Sequence, residues 1–466
     1  MISPVCWGMV AIMRFVLPFL MLALHLLWCS PAVAQHALLK DIVIQRNLAD
    51  LQKSLKDGSY KGEEGILRIR PEAAKSLGLK VFVDHEYIDS RELLEQAASS
   101  FEAAKGFMAT RDEETYIGEH VRNIGTLYLH YRRSLDRAKQ KLLSYRAKLD
   151  PGVDERLNEA ACGRLMDKLL AECFKRADNR LRDGLGLFYN VCRDPDQDHA
   201  FLNSENVDFV NEVFHRFVTE YPREGAMPFL LDRQEEYRNH QADWKEVIRD
   251  DFPYVSQLDE AIRKLKPSSD AVDPLLFVAL MRKESNFDSQ AVSSSGAAGL
   301  TQLMARTALD LGMKNIGMPA TFIEAAGLSD MERRTRAQAM AALHRINEEN
   351  KLQSASEARE LMQEALKIGH QKERLYAQYR KELLQSLTDD RLNASLSMEY
   401  GLKYFLRLMR DHKGDMSLAL AAYNAGPQRI REYRGIPPFG ETVRFRNRTL
   451  EFYREYINRM KDQKRP

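Results

Sequence analysis

The sequence predicts a mainly α protein: a largely helical N-terminal domain with a minor β element, then a second helical domain that carries a charge-rich helical insertion. Two observations carry that prediction. Apolar residues recur three and four apart through most of the chain, which is the spacing of one helix face. Prolines and Pro-Ser runs fall between these stretches rather than inside them. A chain of 466 residues exceeds one ordinary core, so two or three domains are expected. Hydrophobic residues at 44% and charged residues at 29% are globular proportions and rule out wholesale disorder. Lys plus Arg (69) nearly cancels Asp plus Glu (67), which removes any bulk electrostatic case for a nucleic-acid partner.

The first 34 residues read as an address. Arg14 precedes an apolar run from Phe15 to Trp28, short for a membrane span, and small residues follow, ending Ala32, Val33, Ala34. This pattern predicts a signal peptide cleaved after Ala34 and export to a wall compartment such as the periplasm. Met13 makes the tidier start, because the residues before Arg14 are themselves mostly apolar; taken whole, the segment has an uncleaved anchor as its alternative reading. Trp28 is too large for the position before a lipidated cysteine, which argues against Cys29 as an anchor. Three cysteines remain after cleavage. Cys162 and Cys173 are predicted on one helix, about 16 Å apart along its axis, and so cannot bridge each other. Cys192 is left either to pair with one of them or to stay, like them, a buried free thiol. No Cys/His spacing suggests a metal.

Domain 35–266 contains no recognisable chemistry. Leu48, Leu51 and Leu55 predict a first helix. Ile66 to Arg70 and Lys80 to Val83 are rich in β-branched and apolar residues and predict a small hairpin or two edge strands. From Arg91 to Leu149 the helical pattern returns, with Ile117, Val121, Ile124, Tyr128 and Tyr131 on one stripe, and Pro151 and Gly152 end it. Further helices are predicted from Asp154 through Cys173, from Glu205 to Tyr221 before Pro222, around Trp244 and Val247, and along Leu258, Ile262 and Leu265. Pro267, Ser268 and Ser269 read as a linker.

The chemistry lies in the domain 273–456. Asp273 followed by Pro274 is a helix start, and one stripe of that helix holds Phe277, Leu280, Met281 and Glu284. A carboxyl group that continues an apolar face is desolvated, which raises its pKa and keeps a protonated fraction near neutrality, as a general acid requires. Downstream, the small residues Gly296 to Gly299 let the backbone come close to whatever lies beside it. Gln302 offers both a donor and an acceptor. Between the two halves of this domain lies an insertion at about 320–390, highly charged and patterned as two helices with a break near Ser354. Such a pair is either a partner-binding hairpin or a solvated insertion packed on its own domain.

The segment from Glu284 to Met304 resembles the signature of the lytic murein transglycosylases with a goose-type lysozyme-like fold. Glu284, Ser285, Phe287, Ala291, Ser293, Gly296, Ala297, Gly299, Leu300, Gln302 and Met304 fall in place without a gap, and Ala305 stands where proline is usual. Two later blocks agree: Ala422, Tyr423, Asn424, Ala425 and Gly426, and then Glu441 with Thr442. Ser397 stands where asparagine is common and Phe445 where tyrosine is usual.

The resemblance implies a lysozyme-like α-helical catalytic domain. Glu284 would be its single catalytic acid/base, and Ser293, Gly299, Gln302, Met304, Tyr423, Asn424 and Glu441 would contact substrate. It implies no cofactor and peptidoglycan glycan strands as the partner; apart from the resemblance, the helical regions are candidates for contact with wall-synthesis or envelope proteins. The reaction implied is cleavage of the β-1,4 bond between N-acetylmuramic acid and N-acetylglucosamine with a 1,6-anhydro product. The alternatives are a lysozyme-type hydrolase of the same bond and a non-cleaving glycan-binding scaffold.

Overall fold

The computed structural model describes residues 31–111, 116–195, 201–221, 229–233, 244–265, 272–386 and 388–462. The leader up to residue 30, Pro222 and the linker Pro267 to Ser269 lie outside them. The described chain is helical nearly throughout, as the 3.6-residue patterning predicts.

Its contacts group it into two compact units that do not follow chain order. One comprises residues 1–82, 149–232 and 433–440; the other comprises 83–148, 233–432 and 441–466. The division expected from the sequence, 35–266 against 273–456, placed 83–148 and 233–266 with the N-terminal part. The physical reason for the different grouping is an apolar stripe whose partner lies far along the chain, described below.

In the first unit, α1 (Pro31–Asp57) and α2 (Pro71–Ser76) are followed by α5 (Glu159–Arg176), α6 (Leu181–Arg193) and α7 (Val207–Glu220). The hairpin or edge strands expected at 66–70 and 80–83 do not form. Among the described residues this stretch holds an isolated bridge between Glu64 and Ile69, closed by Gly65 at φ 71° and Arg68 at φ 50°. Ile66, Leu67 and Ile69 are apolar because the turn itself is buried. Arg156 ties the turn down. Its guanidinium, fully buried, holds both oxygens of Asp154 at 2.9 and 2.8 Å and donates to the carbonyls of Gly62 (2.8 Å) and Ile69 (3.3 Å). Cys162, Cys173 and Cys192 are buried free thiols, so no bridge forms among them; burial pushes the first two up to about 11 and 12.

The second unit contains two long helical hairpins. The first is α3 (His85–Ala109) with α4 (Ile117–Arg146), and the second is α12 (Ala320–His344) with α13 (Lys351–Ser386). Of the stripe predicted on α4, Ile124 and Tyr128 are buried against the second hairpin, Val121 and Tyr131 are partly buried and Ile117 is exposed; Leu129 joins the same core, with Ala104, Met108, Ala342, Leu343, Ala358 and Met362. The insertion is therefore packed on its own chain, and its stripe is not left open for a partner. The chain reverses at 345–350, a few residues before the expected break at Ser354. Around these hairpins the unit adds α8 (Trp244–Ile248), α9 (Val255–Lys264), α10 (Pro274–Ser285), α11 (Ala305–Leu311), α14 (Ala394–Asp411), α15 (Met416–Ala425), α16 (Pro427–Glu432) and α17 (Gly440–Asp462).

Four fully buried alanines, Ala339, Ala342, Ala355 and Ala358, let the hairpins approach closely. Ala358→Leu adds volume where none is free and is expected to cost about 1–3 kcal/mol, measurable as a lower urea midpoint.

Candidate active site

Helix α10 begins as its sequence requires. Asp273 accepts from the Leu275 amide at 2.9 Å, Pro274 takes the first helical position, and the Tyr453 hydroxyl donates to the other Asp273 oxygen at 2.7 Å. Leu275 through Met281 are all buried, so the last turn is delivered into the interior at a set height. Asn286 ends the helix in the left-handed conformation at φ 49°. Glu284 lies one turn beyond Leu280 and Met281 and is half-buried. Its carboxyl is pushed up to about 8, chiefly by desolvation; neighbouring Lys283 opposes the shift and the charge of Glu441 adds to it.

A loop of small residues lies against this helix end. Ser285 donates to the carbonyl of Leu300 at 2.9 Å, fixing the residue after the acid to the loop. Gly299 has φ 79°, and a side chain there would meet the Arg391 carbonyl at 1.8 Å, so only glycine fits. Gln302 is itself left-handed at φ 47°. Its amide nitrogen donates to the carbonyls of Ala291 and Gly299, each at 2.9 Å. The expectation that its donor serves a sugar is thereby corrected: the NH2 group is committed to the loop, and the amide oxygen is what remains. Ser293 is likewise turned inward, its hydroxyl accepting from the amide of Ala297 at 2.9 Å. Met304 is 39% exposed at the N-cap of α11, a large apolar side chain presented to solvent.

The other expected residues approach from α15 and α17. The Tyr423 hydroxyl donates to the Thr301 carbonyl at 2.7 Å. Its pKa is raised well above the usual phenol value by burial and by the charge of Glu284, which places it beside the acid. Asn424 accepts from the Thr442 hydroxyl at 2.8 Å, locking the end of α15 to the start of α17. Glu441 is exposed in the first turn of α17, where the helix dipole favours its charge. Glu284, Tyr423 and Glu441 thus form one electrostatic group, while Ser293, Gly299 and Gln302 shape the loop beneath it.

Two of the three departures from the family pattern, Ser397 and Phe445, have structural roles. Ser397 is buried and accepts from the Thr301 amide at 3.3 Å, and the Thr301 hydroxyl donates to its carbonyl at 3.0 Å. Phe445 is buried, with the Lys283 ammonium 5.6 Å from its ring centroid.

Sequence reasoning missed the group that holds the loop. Arg391, fully buried, binds both oxygens of Asp389 at 2.9 and 2.8 Å and donates to the carbonyls of Gly296 (3.1 Å) and Leu303 (3.2 Å) and to the Tyr379 hydroxyl (2.6 Å). Tyr379 belongs to the insertion, which therefore buttresses the site; Phe322 and Tyr376 pack on Val292 and Ala298 in the same core. The signal was the Asp-x-Arg spacing of residues 389–391, which recurs at 154–156.

A half-buried carboxyl at a helix end, over a small-residue loop in an all-helical frame, defines a mainly α, lysozyme-like domain. Residues 263–342 and 349–442 match the family model described as the transglycosylase SLT domain. Among solved structures the chain is similar to an inactive mutant of the lytic transglycosylase Slt from Pseudomonas aeruginosa. The identity is 16% over 81% of this chain and 68% of that one, with a TM-score of 0.28, too loose a superposition to bear on the site.

Arg391→Leu strands Asp389 and frees two loop carbonyls, and is expected to cost about 3–5 kcal/mol in urea unfolding. Glu284 carries the opposite sign from a salt-bridged carboxylate. Its folded pKa of about 8 lies above the unfolded value of about 4.3, so folding is unpenalised below pH 4. Stability falls as pH rises through that window and levels off above 8. Glu284→Gln is therefore expected to stabilise the protein by ~2–4 kcal/mol at pH 7.5 and by nothing at pH 4, measured by denaturation at the two pH values.

Proposed function

We propose that the domain is a peptidoglycan lytic transglycosylase acting on the β-1,4 bond between N-acetylmuramic acid and N-acetylglucosamine. The observation that carries this reading is Glu284, a carboxyl held protonated near neutrality by burial beside a small-residue loop. Most glycosidases divide the work between two carboxylates. Here one suffices, because the proton it gives is returned to it.

Glu284 donates its proton to the bridging oxygen as the bond to C1 of the muramic residue breaks, and the N-acetylglucosamine 4-hydroxyl leaves. The carboxylate then takes the proton of the muramic C6 hydroxyl while that oxygen attacks C1. A 1,6-anhydro ring forms, the carboxyl is regenerated, and no water is consumed. The charge of Glu441 favours the protonated form of Glu284 and would support the developing positive charge at C1. Tyr423, held by the Thr301 carbonyl, lines the approach to the acid. Met304 offers an apolar surface to a sugar face. The chain needs no cofactor for this sequence of steps. We also propose that residues 1–34 direct export to the periplasm, where the substrate lies; N-terminal sequencing of the exported protein should begin at Gln35.

A lysozyme-type hydrolase would use the same Glu284 with water at C1, and product mass separates the two. Mass spectrometry of a murein digest should show anhydro-muramic ends, lighter by one water than hydrolysis products, and none with Glu284→Gln. Products carrying the extra water would establish the hydrolase instead, and equal inactivity of both proteins would leave only binding. With Glu284 as the acid, kcat/KM should fall tenfold per pH unit above about pH 8.

A further inference from the structure

The N-terminal part of the chain repeats a series of contacts of the catalytic scaffold. Arg156 donates to the carbonyls of Gly62 and Ile69 as Arg391 donates to those of Gly296 and Leu303, and each guanidinium chelates the aspartate two residues before it. A side chain at Gly65 would meet the Arg156 carbonyl at 1.9 Å, as one at Gly299 would meet that of Arg391 at 1.8 Å. Arg68 and Gln302 share the left-handed conformation, at φ 50° and 47°. The Phe82 amide donates to Asp154 as the Gly317 amide donates to Asp389.

Asn158 and Asn393 each cap an 18-residue helix that follows the arginine. Asn206 donates to Asn190 at 3.2 Å where Thr442 donates to Asn424. Both copies are interrupted at the same point by a 25-residue helix and a longer partner, α3 with α4 and α12 with α13.

The reacting group differs. Asn47 donates to the carbonyl of Ile66 at 3.0 Å as Ser285 donates to that of Leu300, so Arg46 stands where Glu284 stands. The buried stripe agrees, Leu39, Ile42 and Val43 matching Phe277, Leu280 and Met281. Gln302 and Met304 have Arg68 and Arg70 as counterparts. Tyr189, the counterpart of Tyr423, carries the Arg193 guanidinium 4.9 Å from its ring centroid.

Arg46 is paired with Asp50 and Glu212, Arg68 with Asp50, and Arg193 with Glu63; Arg70 donates to the Arg193 carbonyl at 3.0 Å. These contacts gather the guanidiniums of Arg46, Arg68, Arg70 and Arg193 beside Asp50, which two of them share, Glu63 and Glu212. Burial above all, with the charges of Arg193 and Arg46 adding to it and Tyr189 opposing, pushes Arg68 down to about 10.

We propose that the first unit is a duplicated transglycosylase scaffold that has lost its acid and instead holds a carboxylate-bearing stretch of the glycan, the stem peptides of murein, against the arginines around Tyr189. Guanidinium forks are matched to carboxylates, and a tyrosine stacked under one of them gives a sugar or peptide a flat surface. The proposal rests on the murein reading above for its ligand class.

The test uses the full chain with Glu284→Gln, which binds without cutting, and two probes: murein strands with stem peptides and the same strands stripped of them by an amidase. Peptide-bearing strands should bind about tenfold more tightly than stripped ones. Arg193→Glu should abolish that preference, and Arg193→Lys should largely retain it. Amide exchange at 68–71 and 189–193 should slow when peptide-bearing strands are added, which reads the site without relying on any variant. Equal affinity for both probes, or protection confined to the neighbourhood of residue 284, overturns the proposal. Digestion by the unsubstituted protein runs in parallel: protection at 189–193 without any cleavage supports this second site while refuting the transglycosylase reading, whereas anhydro products without that protection do the reverse.

Discussion

The site depends on one buried ion pair. Arg391 and Asp389 are almost wholly withdrawn from water, an arrangement that is unfavourable unless every remaining donor finds an acceptor. Here the acceptors are two carbonyls of the loop beside Glu284 and a tyrosine of the insertion. Because an unpaired buried guanidinium is so costly, the loop has few alternative conformations. Gly299 lies against the arginine's own carbonyl, Gln302 closes the turn, and Ser285 fastens it to the helix bearing the acid. The position of the carboxyl relative to any bound glycan follows from that chain of constraints.

The same logic accounts for the acid. Seven consecutive buried residues, Leu275 to Met281, seat α10 so that its last turn cannot rotate Glu284 into solvent. A carboxyl in that setting is stable as the neutral acid, and the nearby Glu441 charge works in the same direction. The protein gives up folding stability at neutral pH to keep a proton where it is used, the usual relation between stability and a perturbed catalytic group.

Duplication gives the hairpins a physical rationale. A pair of long amphipathic helices projecting from a small helical domain exposes an apolar stripe. In this chain the stripe of α3 and α4 is covered by that of α12 and α13, with buried alanines at the contact. Each copy's insertion supplies the other's missing core. This explains why residues 83–148 group with a region more than a hundred residues away in sequence rather than with their own neighbours.

Much of the fold and site was legible in the sequence because helices announce themselves locally. The stripe ending in Glu284, the Asp273-Pro274 start and the ungapped run to Met304 concern residues that interact within a few turns of one another. The turn at 62–69 was misread because its apolar residues are buried by an arginine nearly ninety positions later, and alternation alone cannot tell such a turn from a strand. Nothing in the sequence singled out Arg391 and Arg156, for the same reason: among their acceptors are backbone carbonyls, which carry no letter in a sequence. The repeat was hidden as well, since what the copies share is mostly glycines in strained conformations and bonds to the main chain. By itself the sequence determined that there is a helix with an acid on its inner face and a family of folds to hold it. Only the tertiary structure decided what holds that acid in place and that the scaffold occurs twice, because buried ion pairs and backbone acceptors are defined by distance in space rather than along the chain.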